Sequence, residues 1–266
     1  MAKSATASVQ EWRASSNLAS PLGSLETRAT IARFAPGDLI YLNGEPADFW
    51  YRILSGACRR CAYGIGGSRR IVDFLRPGDL FGYESQSVHS FSAEAIVTST
   101  TVARYPRRTA EQVADSDPQL ARRIRELAFL SVLRGQRRQL ILGRATALEK
   151  VSNFLLEMTD CFRTGPVGPV TLPMSRYDIA DYLAIAVETV SRALTNLREG
   201  GVIQFDGVRC VQIKDRQSLE RVCEIPMNAM KTRPLSTRSL RDPTSAVRAR
   251  VASAACTLNE ILEERP

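Results

Sequence analysis

A chain of 266 residues with 44% hydrophobic side chains is long enough for two modest domains with real cores. Lys and Arg total 36 against 28 Asp and Glu, and the net charge of +8 permits a polyanionic partner without requiring one. With one histidine, and no phosphate-cradling glycine loop followed by Lys, an enzyme is not the expected class.

Residues 1–28 are rich in Ser, Ala and Thr and read as a flexible N-terminal extension. They hold no apolar run of signal-peptide type, and no stretch approaches the roughly 18 apolar residues of a membrane span, so a cytoplasmic protein is expected. From 29 to 112 short apolar runs alternate with glycine turns, as in "FAPGDLIYLNGEPADFWYRILSG" and "FLRPGDLFG". Short strands with turn signals every 8 to 12 residues predict a jelly-roll β-barrel. Cys58 and Cys61 form a CxxC with no second ligand pair. In a strand residues three apart point to opposite faces, so a metal site is not the expected reading there.

Residues 113–143 carry a helical apolar stripe of Leu120, Ile124, Leu127, Leu130 and Leu133, interrupted by the polar "RGQRRQ". A helix of this length between two domains commonly buries such a stripe against a copy of itself, with Leu120, Ile124, Leu127 and Leu130 as the expected dimer seam. Burial against its own β-domain is the competing reading. A further helix at Ala147–Phe162 leads to the loop "RTGPVGPVTLP", where a unit spanning 146–224 takes shape.

In "SRYDIADYLAI" Ser175 reads as an N-cap with Asp178 completing a capping box, and Ile179, Ala180 and Leu183 give the apolar set of a short helix. After a break at Ala184-Ile185-Ala186, "AVETVSRALTNLREGG" forms a second helix. At roughly 100° per residue, Glu188, Ser191 and Arg192 share one polar edge, continued by Thr195, Asn196 and Glu199. Val190, Ala193, Leu194 and Leu197 cluster on the opposite side. Helices joined so tightly cross steeply, which is helix-turn-helix geometry. Gly200-Gly201 stops the second helix. "VIQF", Asp206-Gly207 and "VRCVQI" then predict a hairpin with a type I′ turn. Helix, turn, helix and hairpin make a winged helix-turn-helix whose second helix enters the major groove of DNA. Charge lends this no support, since residues 146–225 hold 9 basic and 11 acidic side chains. Residues 225–266 form a C-terminal extension. An amphipathic helix there, with Val247, Val251, Ala254, Leu258, Ile261 and Leu262 on its apolar side, is expected to dock rather than to act as a basic arm.

The order β-roll, long helix, winged helix-turn-helix resembles the Crp–Fnr family of bacterial transcription regulators, over about residues 30 to 222. The E-x-x-S-R of 188–192 and "HSFSAEAI" at 89–96 are most similar to the Fnr and FixK branches. The resemblance implies an α+β fold with a cyclic-nucleotide-binding-like roll, and a homodimer on a near-palindromic site of TTGAT-type half-sites. It also implies contact with RNA polymerase as activator. It places Glu188, Ser191 and Arg192 on base edges, with Val187, Thr189, Ser175 and Arg176 completing the DNA-facing set. Val187 stands where the cyclic-AMP branch has a base-reading Arg. Ser90 and Phe91 replace the Arg-Ser pair that grips cyclic AMP, so a phosphate there lacks its cation. Residues 1–57 contain no cysteine for an iron–sulfur centre. His89 reads as structural. No cofactor is therefore expected, the alternative being a sensor of the same fold that binds haem, a metal or a small molecule in the roll.

Overall fold

Two turns of the same design shape the N-terminal half. In Ala35-Pro36-Gly37-Asp38 and Arg76-Pro77-Gly78-Asp79, proline presets the second position and glycine supplies the positive φ of the third, 89° and 95°. Each aspartate closes its turn twice. Its N–H donates to the carbonyl three residues back, at 3.0 Å in both turns, and its carboxylate accepts from that residue's N–H, at 2.7 and 3.1 Å.

Between and beyond these turns run eight strands: β1 Thr30–Phe34, β2 Leu39–Tyr41, β3 Phe49–Ser55, β4 Cys58–Tyr63, β5 Arg69–Leu75, β6 Leu80–Phe81, β7 Ser92–Ala95 and β8 Thr100–Pro106. They pair antiparallel into two sheets, β1-β8-β3-β6 and β2-β7-β4-β5. Tyr41, Tyr51, Ile53, Phe81, Ala93 and Val102 come from both sheets and fill the space between them. The computed structural model describes residues 22–223 other than 65, 163–167 and 208.

The outer face of β3 is buried too. Trp50 and Leu54 alternate with Tyr51 and Ile53 and pack outward with Leu22, Leu25, Ala110 and Leu120. Part of the expected N-terminal extension is thereby corrected: Gly23–Arg28 is a 3-10 helix with Leu22 and Leu25 fully buried. Glu26 of this helix, 1% exposed, meets Arg52 at 2.9 Å and accepts a hydrogen bond from the Tyr105 hydroxyl at 3.1 Å. An ion pair so enclosed holds only while both partners stay.

Helix α1 (Arg107–Ser116) precedes the long helix α2 (Pro118–Arg144). The break falls at Asp117, whose carboxylate caps α2 by accepting from the N–H groups of Gln119 and Leu120, with Pro118 at the first helical position. The apolar stripe of α2 lies differently from the expected seam. Leu120 is 4% exposed inside the chain's own cluster, Ile124 and Leu127 pack on that cluster, and Leu130 is half-buried. A second stripe faces outward: Phe129, Val132, Leu133 and Leu140 are 67%, 56%, 45% and 52% exposed.

Helix α3 (Ala147–Phe162) and strand β9 (Val170–Thr171) open the C-terminal half, followed by α4 (Arg176–Leu183), α5 (Val187–Glu199), β10 (Ile203–Asp206), β11 (Cys210–Ile213) and α6 (Arg216–Val222). The hairpin differs from the expected two-residue turn. Asp206 pairs with Cys210, so three residues, 207–209, connect the strands. This register sets the fully buried Val211 opposite Phe205, and a two-residue turn would put Val208 in its place. Strand β9 adds a third strand on β11. The fold is α+β: a β-roll, a long helix and a winged helix-turn-helix. Among the described residues no helix is long and apolar enough to cross a membrane. The apolar positions expected in the C-terminal extension lie outside the described residues.

Candidate nucleic-acid interface

The turn between α4 and α5 is built from backbone bonds. Ala184 is left-handed, φ 51° and ψ 49°, its N–H donating to the carbonyls of Ala180 and Asp181, and the Ile185 N–H reaches back to Ala180 at 3.1 Å. This is a Schellman-type stop, with alanine in the place glycine usually takes. At the other end of α4 the capping box forms as the sequence implies. The Ser175 hydroxyl accepts from the Asp178 N–H at 3.1 Å, and the Asp178 carboxylate accepts from the Ser175 N–H at 3.0 Å.

Helix α5 divides its sides cleanly. Val190, Ala193, Leu194 and Leu197 are buried, 0% to 7% exposed. Glu188, Arg192, Asn196 and Glu199 are exposed, and Ser191 and Thr195 are half-buried along the same edge. Glu188 and Arg192 are four residues apart, yet neither has an ion-pair partner among the described residues. Both charged heads are thus free for an incoming group. Val187 and Thr189, in the first turn of α5, are half-buried, as are Ser175 and Arg176 at the start of α4. The Arg176 guanidinium lies 3.4 Å from the Ser191 hydroxyl, linking the start of α4 to the exposed edge of α5. Beside it Tyr177 is 72% exposed. Sequence reasoning passes over this residue because a lone surface tyrosine carries no periodic signal.

The wing closes beside these elements. The Leu172 N–H donates to the Arg209 carbonyl at 2.9 Å, and the exposed Arg209 side chain leans on the Pro173 carbonyl at 3.4 Å.

Within the roll, Ser90 donates its hydroxyl to the Glu84 carboxylate at 2.9 Å, and the Phe91 ring lies under Arg60, 5.5 Å from its guanidinium carbon. At the two positions to which the resemblance assigns the phosphate-gripping pair stand a hydroxyl bound to a carboxylate and a phenyl ring, and that pair does not fit a cyclic phosphate. His89 is 1% exposed and stacks on Tyr41 with ring centroids 3.7 Å apart. Burial holds its pKa below the usual histidine value, the nearby Glu84 and Glu45 only partly opposing it. Cys58 and Cys61 are both buried free thiols. Desolvation pushes the Cys61 thiol up to about 11, with Arg59 and Arg69 pulling the other way, and raises Cys58 further. Neither thiol is an ionised nucleophile at neutral pH.

Comparison with known proteins agrees with this architecture. Residues 31–117 match the model of the cyclic nucleotide-binding domain, and residues 149–222 match the Crp-like helix-turn-helix domain. The nitrogen fixation regulation protein FixK of Rhizobium meliloti (strain 1021) is 38% identical over 73% of this chain and 87% of its own. The transcriptional activatory protein AadR of Rhodopseudomonas palustris is 34% identical over 71% of this chain and 80% of its own. The structure of FixK2 from Bradyrhizobium japonicum superposes with a TM-score of 0.69 at 38% identity, covering 74% of this chain and 98% of that one.

Proposed function

The chain belongs to the Crp–Fnr family of transcription regulators, and from that membership we propose a FixK-like homodimeric activator that reads a palindromic site of TTGAT-type half-sites without a bound cofactor. The observation that carries this reading is the exposed Glu188–Ser191–Arg192 edge on a helix whose other side is sealed into the core. In a major groove, Arg192 donates a bidentate pair to guanine, Glu188 accepts from a cytosine amino group, and Ser191 serves either base. Val187 and Thr189 flank those contacts, while Ser175 and Arg176 at the start of α4 suit backbone phosphate. The winged unit is slightly acidic in sum, so positioned contacts rather than bulk charge must supply discrimination.

The outward stripe of α2 is the better dimer seam. Val132 and Leu133 follow Phe129 by three and four residues and Leu140 lies one heptad beyond Leu133, as on a coiled-coil edge, whereas Leu120, Ile124 and Leu127 already serve the chain's own core. A two-fold seam there would hold two α5 helices for half-sites about 34 Å apart. The Glu84–Ser90 pair supports a roll without cyclic nucleotide. One observation favours the sensor alternative: neither ring nitrogen of the buried His89 has a hydrogen-bond partner among the described residues. An absorption spectrum of protein purified without additives separates the two readings, a Soret or charge-transfer band supporting the sensor. Contact with RNA polymerase in the cytoplasm completes the proposed activator role.

Arg192→Ala tests the base-reading edge. Loss of one bidentate contact should weaken specific binding by about 1–3 kcal/mol and relax discrimination at the facing base pair. Titrations against intact and guanine-substituted half-sites would show it. A variant that discriminates as well as the parent removes Arg192 from base readout.

A further inference from the structure

The winged unit contains a cavity that DNA binding does not use. It lies between α3, α4, α5 and β10, has a volume of about 260 Å³, and is walled by Phe154, Leu155, Ile179, Leu194 and Phe205. Most of these walls are buried apolar side chains. Well-packed interiors leave few voids larger than a water molecule, and an apolar cavity of roughly 150 Å³ already accommodates a benzene ring. Water gains little here, because it needs several polar partners and the walls offer almost none.

The mouth is different. Arg176 and Arg209 stand on the rim with the exposed Tyr177. Both arginines make only loose polar contacts, to the Ser191 hydroxyl and the Pro173 carbonyl at 3.4 Å each, Arg176 also lies 5.7 Å over the Phe205 ring at the cavity wall, and neither has a carboxylate partner among the described residues. Elsewhere in the fold Arg59, Arg134 and Arg216 hold carboxylates at 2.6 to 2.9 Å. An aromatic and aliphatic interior beneath two guanidinium groups that lack a carboxylate matches one ligand chemistry: an apolar body bearing a single carboxylate. We propose that this cavity binds a small aromatic or aliphatic carboxylic acid, its body between Phe154 and Phe205 and its carboxylate on Arg176 and Arg209. Such a ligand draws Arg176 away from Ser191 on the exposed edge of α5 and so weakens DNA binding. Only this last consequence rests on the DNA-reading role proposed for that edge.

The test uses the full-length protein and 4-phenylbutyrate, with its uncharged amide as control, followed by isothermal titration. Saturable binding of the acid is expected, with the amide clearly weaker. Arg209→Gln should weaken the acid about tenfold while leaving the amide unchanged, the loss of one charge-assisted hydrogen bond. Leu172 also lines the cavity, so Leu172→Phe, which fills it, should abolish binding of both, with folding checked by thermal melting. If that variant does not fold, the Arg209→Gln comparison still decides. No saturable binding at millimolar acid, or equal acid affinity in Arg209→Gln, overturns the site. DNA affinity measured with and without saturating acid then tests the consequence by itself. Binding without any change in DNA affinity overturns the coupling and leaves the site standing.

Discussion

Ala184 holds a left-handed backbone with a Cβ attached, a conformation that costs an L-residue roughly 1–2 kcal/mol. Glycine removes that strain but restores freedom to the unfolded chain, which takes part of the gain back. Ala184→Gly should therefore raise stability by about 0.5–1 kcal/mol in denaturant titration, with α4 and α5 unmoved. An unchanged or lower midpoint would mean that the turn carries no such strain. His89 gives the residue scale a pH signature. Burial lowers its pKa in the folded protein while the unfolded chain keeps the ordinary value near 6.5, so the unfolded state binds more protons as pH falls through that value. Stability is then fully present above about pH 6.5 and lost progressively below it, until the lower folded pKa is passed. Thermal melts from pH 7.5 to 5 should show the decline, and His89→Phe should flatten part of it. An identical slope in the variant would assign the decline to other groups.

At the scale of elements, what a local period determines was readable and what a neighbour determines was not. The buried and exposed sides of α5, and the capping box of α4, depend on residues within two helical turns, so spacing alone located them. The 3-10 helix at Gly23–Arg28 is too short to show a period. Its two buried leucines make sense only beside Trp50 and Leu54. The hairpin turn is one residue longer than the Asp-Gly dipeptide implies because register follows the burial of Val211. Helix α2 carries two apolar stripes, and nothing local says which meets the roll and which stays exposed. Two substitutions separate them. Leu133→Asp should convert a dimer to a folded monomer in sedimentation, since it charges an outward position. Leu120→Ala should instead leave assembly intact and cost about 2–5 kcal/mol of stability, as buried leucine truncations do. The reverse pattern would restore the inner stripe as the seam.

For the molecule as a whole, arginines of the roll and of α2 join the roll to the winged unit. Arg59 on β4 grips Glu94 with two nitrogens, at 2.6 and 3.1 Å, and donates its third to Asp178 at 2.7 Å, where Arg69 joins it at 2.9 Å. Asp178 thus caps α4 and anchors it to the roll at once, while Asp181, one turn on, accepts from the Ile71 N–H at 3.2 Å. Phe74 of β5, Phe154 of α3 and Tyr182 of α4 close the apolar side of the junction, with ring centroids 5.0 to 6.3 Å apart. Arg138, in the polar stretch of α2, joins the two halves most directly. It donates to the carbonyls of Ile71 and Tyr182 at 2.8 Å each and to that of Val72, and its guanidinium lies 4.0 Å over the Tyr182 ring. One side chain therefore satisfies carbonyls from β5 and α4 together, and its removal strands all three. Arg138→Met keeps the stem and deletes the head. It should cost about 3 kcal/mol or more, hydrogen bonds to a charged group being worth roughly 1.5–3 each. Because the lost contacts lie between the halves and not within either, scanning calorimetry should show a single unfolding transition split into two, the roll and the winged unit melting apart. A single transition at the parental temperature would place the coupling of the two halves in the aromatic cluster instead.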